Sequence, residues 1–344
     1  MLKKFLIGAA MAGLLSGCGG GGGDPSASEI KIVGSSTVYP FTTAVAEQFQ
    51  RANPGATVIV ESTGTGSGMK LFCEGLGADQ PDMVNASRRM KASEYEACAA
   101  AGVDNVVELT IGIDGLTLIQ GADQEPLSLT TAQVYEALAA NPYGKEQTAK
   151  NWSDIDPSLP NRPILVYGPP PTSGTRDSFA ELILEAGCDS NAEMEALKES
   201  NSDQHKQTCT KIREDGAYVE AGENDNLLVQ KVSQEPGALG VLGYSFVEEN
   251  QDRISPVTLD GVQPTSDTIS NLDYVGARLL YVYVKGAHVQ AKPSLREFVN
   301  AYRQAWQPGG LLSTKGLVAL DDAGRTESDS RADGLTPLNA ADLK

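Results

Sequence analysis

The sequence predicts an α/β fold, and three observations carry the prediction. Short β-branched runs alternate with stretches whose apolar residues recur at helical spacing. Several of the strand-to-helix junctions are rich in glycine, serine and threonine. A chain of 344 residues is long for one domain and comfortable for two lobes.

In chain order, Ile30 to Val33 reads as the first strand. The loop Gly34-Ser35-Ser36-Thr37-Val38-Tyr39-Pro40 follows, and Phe41, Val45 and Phe49 then fall at i, i+4 and i+8 of a helix. Pro40 suits the first helical position, and Ser36 or Thr37 suits the cap. Thr57 to Val60 is a second strand; Thr63-Gly64-Thr65-Gly66-Ser67-Gly68 leads from it into Met69-Lys70-Leu71-Phe72. A third strand ends near Asn85 and a helical pattern begins near Ser93, so Ser87 and Arg88 sit at another such junction, with Arg89 and Lys91 expected in solvent. Val106 to Ile119 is β-branched and interrupted by Gly112, Asp114 and Gly115, which predicts strands bending between lobes. Thr130 to Ala139 is a helix ended by Asn141-Pro142. The polar region 188–215 reads as a peripheral helical insertion. Asn224 and its neighbours cap a helix through Leu227, Leu228 and Val232. Ala238 to Tyr244 and Ala277 to Val284 are strands, and Leu295 to Trp306 is an amphipathic helix. No internal repeat appears.

One stretch bears most on function. Ile164 to Tyr167 is an apolar strand, the prolines 169–171 forbid helix, and Phe179, Leu182, Ile183 and Ala186 then recur at helical spacing, with Gly187 as a C-cap. The helix therefore starts near Thr175. Ser173 and Thr175 supply hydroxyls, the first helical turn supplies unpaired N–H groups, Gly174 admits a ligand to the backbone, and Arg176 adds a positive charge. An ordinary N-cap beside a solvated arginine explains one such loop equally well. Three hydroxyl-rich strand-to-helix loops in one chain are harder to explain as three caps. Converging, they would surround a small tetrahedral anion with neutral donors.

The formal net charge of −18 and the lack of a basic stripe argue against nucleic acid. An acidic chain still holds an anion where local donors govern the site. At the N-terminus, Lys3 and Lys4 precede a short apolar run from Phe5 to Leu15, and Leu15-Ser16-Gly17-Cys18 matches the bacterial lipobox. This predicts an exported lipoprotein: cleavage before Cys18, lipid on Cys18, and Gly19 to Gly23 within a flexible tether. The expected location is periplasmic, anchored to a bacterial membrane. Without Cys18, four cysteines remain for an oxidising compartment, and three pairings are open. We favour Cys73–Cys98 and Cys188–Cys209, because each closes a short loop beside one of the anion-loop helices. Each bridge would stabilise by about 3 kcal/mol. A metal site fails on ligands: there is no C-x-x-C, and His205 and His288 stand apart in sequence. No cofactor is expected. A hydrolase lacks G-x-S-x-G and has only two histidines, and no Walker-type phosphate loop is present, so no enzyme is expected.

The ordered set Gly34 to Pro40, Thr65-Gly66-Ser67-Gly68, Ala86-Ser87-Arg88, Ser173-Gly174-Thr175 and Glu223 to Asn226 resembles the PstS-type periplasmic phosphate-binding proteins of phosphate ABC transporters. The resemblance covers nearly the whole chain after the leader. It implies a type II periplasmic-binding-protein fold, with two α/β lobes, two crossovers and a cleft that closes on ligand. The implied division is a signal peptide at 1–17, a tether at 18–28, lobe 1 at 29–113 and 274–344, and lobe 2 at 114–273. It further implies capture of inorganic phosphate and delivery to the permease and ATPase subunits of an importer. By position, the phosphate contacts are Ser36, Thr37, Val38, Thr65, Ser87, Arg88, Ser173, Gly174 and Thr175. Arg176 joins them as a second cation, meeting the anion from the side opposite Arg88. The chain departs from many family members at Arg88, where an aspartate accepts the proton of hydrogen phosphate and so rejects sulfate. Asp177, Glu61 and Asp225 are replacement acceptors. The alternatives are another tetrahedral oxyanion (sulfate, arsenate or molybdate) or a phosphatase-like or signalling lipoprotein on the same fold.

Overall fold

The computed structural model describes residues 29–171, 173–222 and 224–343. The leader, the tether and Cys18 lie outside the described residues. Strands and helices alternate as β1 (Glu29–Gly34), α1 (Tyr39–Ala52), β2 (Thr57–Ser62), α2 (Thr65–Phe72), β3 (Met83–Ala86), α3 (Ala92–Ala100) and β4 (Val106–Gly121). The described residues form a small two-stranded sheet, Ser128–Leu129 with Thr258–Leu259, and a nine-stranded sheet. Its path runs β2, β1, β3, then Ala277–Lys285, β4, Leu239–Gly243, Val166–Gly168 and Tyr218–Glu220, with Ile254–Pro256 also on β4. β1 lies parallel to β2 and β3, whereas Ala277–Lys285 runs antiparallel to β3 and β4.

β4 makes this one molecule with two halves. It pairs with Ala277–Lys285 as far as Gly115, then with Leu239–Gly243 and Ile254–Pro256. The expected break at Gly112, Asp114 and Gly115 does not occur; a single strand crosses. Gly112 serves packing instead. At φ +153° it leaves room for the Leu317 side chain, which would stand 2.6 Å from a Cβ there.

Lobe 1 has a core on each face of its sheet. On one side Phe41, Val45 and Phe49 of α1 meet Phe298 and Tyr302 of the helix Pro293–Ala305, with Phe49 and Phe298 edge-to-face at 5.3 Å. On the other, Met69 and Phe72 of α2 meet Val84 and Tyr283. Each such side chain contributes about 1.5–3 kcal/mol by leaving water. Lobe 2 has its own core, built on Trp152, Phe179, Leu184 and Val241. The helix beginning at Gly174 continues through a π-helical segment, Ala180–Leu184, into Glu185–Asp189. Gly187 is therefore inside the helix rather than its C-cap. Its role is close approach: a Cβ would stand 2.2 Å from the Thr131 carbonyl.

The disulfides are Cys73–Cys98, from α2 to α3, and Cys188–Cys209, which staples the 188–215 insertion to that long helix. His205 is not isolated in space; its Nε2 lies 2.7 Å from Asp189 Oδ1. It also neighbours Cys188 and Cys209, but their disulfide removes both thiolates as metal ligands. Arg89, expected in solvent, instead forks onto buried Glu108 at 2.8 and 2.9 Å. No helix among the described residues is long and apolar enough to cross a membrane.

Candidate functional site

The three lobe 1 loops stand at the C-terminal ends of β1, β2 and β3, locked together by their backbones. Gly34 O accepts the N–H groups of Thr63 and Gly64, each at 2.9 Å, and Asn85 O accepts that of Ser35 at 2.9 Å. A Cβ on Gly68 would stand 2.5 Å from Gly34 Cα, so glycine is needed for the second loop to seat on the first. Thr65 Oγ1 and Ser87 Oγ are 3.0 Å apart, and Ser87 N donates to Thr65 Oγ1 at 3.2 Å. The second and third loops thus share one hydroxyl pair.

The first loop differs from expectation in a telling way. Neither Ser36 nor Thr37 caps α1: Val38 is the N-cap residue, no side chain accepts there, and Pro40 occupies the first turn. Both hydroxyls are turned to the other lobe. Ser36 Oγ donates to the Asp177 carboxylate. Thr37 Oγ1 lies 3.5 Å from Gly174 O and 3.4 Å from Ser178 Oγ. α2 likewise begins at Gly64 without a side-chain cap. Two helix N-termini therefore reach the cleft with first-turn N–H groups that no side chain caps, an arrangement that favours negative charge.

From lobe 2 comes the turn after Val166–Gly168. The Ser173 side chain does cap, accepting from Thr175 N at 3.2 Å. Gly174 lies against the backbone of Ser36 and Thr37, so the lobes touch here. Asp177 in the same turn is half-buried, which pushes its carboxyl above its ordinary pKa; the bond from Ser36 opposes that shift. Two hollows of the surface lie elsewhere, along the helix Asp322–Gly334 and between Phe49 and Gln304. These interlobe contacts close the cleft.

The two arginines do not meet across it. Arg88 forks onto Glu94, with Nη1 and Nη2 at 2.9 and 2.7 Å from the carboxylate oxygens. Arg176 lies over the Tyr218 ring at 4.4 Å, donates to Pro169 O at 3.2 Å, and has Glu220, not Asp177, as its nearest carboxylate partner at 3.8 Å. A guanidinium takes the nearest planar acceptor, and α3 presents one to Arg88 six residues on. Of the replacement acceptors, Glu61 is exposed on the edge strand β2. Burial pushes Asp225 up to about 6, at the start of its own helix. Of the three, Asp177 is the one hydrogen-bonded across the lobes.

The cation that does reach between the lobes was not expected. Arg278 donates from Nη2 to Thr37 Oγ1 at 3.0 Å and to Ser178 Oγ at 2.9 Å, and from Nη1 to Glu181 Oε2 at 2.7 Å. Asp114 stands opposite it in register across β4. An arginine and an aspartate inside two long, mostly apolar runs were the faint signal available in the sequence.

The fold and this cleft define a class: a two-lobed receptor of the periplasmic-binding type, with hydroxyls and helix N-termini facing the cleft between the lobes. Comparison with known proteins agrees. The model of the PBP superfamily domain matches residues 20–301. The chain is 34% identical to Protein SphX of Synechococcus elongatus over 87% of its length and 79% of that protein. It is 30% identical to the phosphate-binding protein PstS of Staphylococcus saprophyticus over 96% of its length and 92% of the relative. The crystal structure of a possible phosphate binding protein from Planctomyces limnophilus superposes with a TM-score of 0.71 at 28% identity, covering 89% of this chain and 98% of that one. The chain belongs to the PBP superfamily and, within it, to the family of PstS-type phosphate-binding proteins.

Proposed function

We propose that this chain captures inorganic phosphate between its lobes and delivers it to the permease and ATPase subunits of an ABC importer. The observation that carries the reading is the diversion of the Ser36 and Thr37 hydroxyls from capping α1 to facing Gly174, Asp177 and Ser178. The proposed ligand set is the loop donors Ser36, Thr37, Val38, Thr65, Ser87, Ser173, Gly174 and Thr175. Arg88 and Arg176, held by Glu94 and Tyr218, support the site through their fields. Lobe 1 takes residues 29–113 and 274–344 and lobe 2 takes 114–273.

Asp177 is assigned the proton of hydrogen phosphate. A carboxylate facing fully ionised sulfate would have no proton to share, and that repulsion gives selectivity. Calorimetric titration of ligand-free protein with phosphate, sulfate, arsenate and molybdate, paired with a phosphatase assay, tests the function. Phosphate binding without turnover is the expected result. Asp177→Asn should weaken phosphate by about tenfold or more, since hydrogen bonds involving charged groups contribute roughly 1.5–3 kcal/mol. The same variant should lose its discrimination against sulfate. Unchanged selectivity would remove Asp177 from the role.

Cys18 is proposed as the lipid-bearing residue that tethers the receptor at the periplasmic face of a membrane. Intact mass of the membrane-fraction protein should begin at a lipidated Cys18. An unmodified, freely soluble wild-type chain would reject the anchor.

A further inference from the structure

We propose that Arg278 is the positioning residue of the cleft: it directs the Thr37 hydroxyl proton toward the ligand and, through the same guanidinium, joins the two lobes. The proposal rests on the phosphate reading above and adds a residue and a mechanism to it.

Arg278 sits on the second crossover strand with its side chain 12% exposed. Two carboxylates already attend it: Glu181 Oε2 at 2.7 Å from Nη1, and Asp114 Oδ2 at 3.5 Å from Nε. One cation between two anions has its charge more than balanced, so it is poorly suited to be the main attraction for a further anion. What it offers is direction. A guanidinium only donates, whereas a hydroxyl has one proton to give and lone pairs to accept with. A hydroxyl that accepts from Arg278 must send its own proton elsewhere.

For Ser178 that destination is present. Its Oγ accepts from Arg278 Nη2 at 2.9 Å and donates to Asp114 Oδ2 at 2.8 Å. Among the described residues Thr37 has no comparable partner. After accepting from Nη2 at 3.0 Å, it is left with Gly174 O at 3.5 Å and Ser178 Oγ at 3.4 Å, both at the far limit of a hydrogen bond. Its proton is held ready for an oxyanion in the cleft. A strong donor poised in advance is worth more than one that must reorient on binding.

The same fork ties the lobes. Thr37 belongs to lobe 1, and Ser178 and Glu181 belong to lobe 2, so Nη1 and Nη2 hold both sides only when these come together. Lysine, a point charge on a flexible stem, lacks the rigid fork that holds Glu181 on one arm and Ser178 and Thr37 on the other.

The test is a double-mutant cycle read by calorimetry with inorganic phosphate, on the wild type, Arg278→Lys, Thr37→Val and the double variant. Each single change should weaken binding about tenfold. The double variant should bind no more weakly than the weaker single, because Arg278 acts through Thr37. Losses that multiply, or an Arg278→Lys protein that binds like the parent, overturn the proposal. Small-angle scattering supplies a readout independent of phosphate: ligand-free Arg278→Lys should be more expanded than ligand-free wild type, and an unchanged radius overturns the joining role. If the wild type fails to bind phosphate while the expansion is seen, the phosphate reading falls and the joining role stands. Should Arg278→Lys fail to fold, Glu181→Gln loosens the same guanidinium from lobe 2 and takes its place in the cycle with the same expected outcomes.

Discussion

Gly174→Ala is expected to cost the receptor most of its phosphate affinity while leaving both lobes folded. A Cβ at this position would stand 2.7 Å from Ser36 O and 2.8 Å from Thr37 Cα, both backbone atoms of the opposite lobe. Neither atom belongs to a side chain that could swing aside. The lobes can relieve the clash only by staying apart, and then the donors on the two sides no longer reach one anion. Overpacking of this kind costs about 1–3 kcal/mol, which is roughly a 5- to 150-fold weaker dissociation constant when it falls on the closed state alone. Because each lobe keeps its own core, the ligand-free melting temperature should barely move. Scattering should show that phosphate no longer compacts the variant. A Gly174→Ala protein that binds and closes like the parent would mean that the anion does not draw these two loops together. Gly34→Ala provides the contrast. There a Cβ would meet Asn85 O at 2.2 Å inside lobe 1, with φ at +124°, so the fold itself should suffer.

Asp82→Ala is expected to be the most destabilising single change away from the cleft. Asp82 precedes β3, at the end of the sheet opposite the loops, and is fully buried. Its carboxylate meets Lys292 Nζ at 2.9 and 3.0 Å, His288 Nδ1 at 2.6 Å and the Lys31 amide at 2.9 Å. Nearby, Lys285 is fully buried, with its Nζ on Gly75 O at 2.5 Å. Removing the carboxylate leaves buried Lys292 without its counter-charge. Breaking such a pair from one side costs about 3–5 kcal/mol. Urea unfolding should report that loss, and a variant within about 1 kcal/mol of the parent would show the cluster to be incidental.

The same cluster has a pH signature. Burial alone would push the Asp82 carboxyl up, but the bonds from His288, the Lys31 amide and Lys292 outweigh it and hold it below its ordinary value. The folded state therefore releases this proton more readily than the unfolded chain does. The resulting stability is complete above the unfolded carboxyl range, near 4, and is lost as pH falls through the lower folded value. Lys285 carries a dependence of the same sign at the alkaline end. Burial pushes it down to about 8, so between there and its unfolded value the unfolded chain holds more protons, and stability rises with pH.

The local designs were legible because they depend on near neighbours in the chain. Alternating runs such as Ile30 to Val33 followed by Phe41, Val45 and Phe49 specify strand then helix by period alone, and the first α/β unit formed as expected. Gly-Ser-Thr junctions marked three of the four loops that meet at the cleft. The lipobox and an even cysteine set are likewise local signals, and the favoured short pairings are the ones the fold brings into contact.

Other features depend on distant partners. Gly112 and Gly187 look like breakers in sequence, yet both sit inside regular elements, because a glycine that admits Leu317 or Thr131 is written the same way as one that turns the chain. Whether Ser36 and Thr37 cap their own helix or face another lobe depends on Asp177 and Gly174, more than 130 residues away. Arg88 and Arg176 read as anion ligands until α3 brings Glu94 to the first and the sheet brings Tyr218 beneath the second. Arg278 carried no local motif at all. The sequence by itself determined the order of strands and helices, the family and the loops that line the cleft, because hydrophobic period and turn chemistry act over a few residues. Only the tertiary structure decided which hydroxyls face the cleft and which arginine stands between the lobes, because a side-chain hydrogen bond goes to whichever acceptor packing brings within about 3 Å.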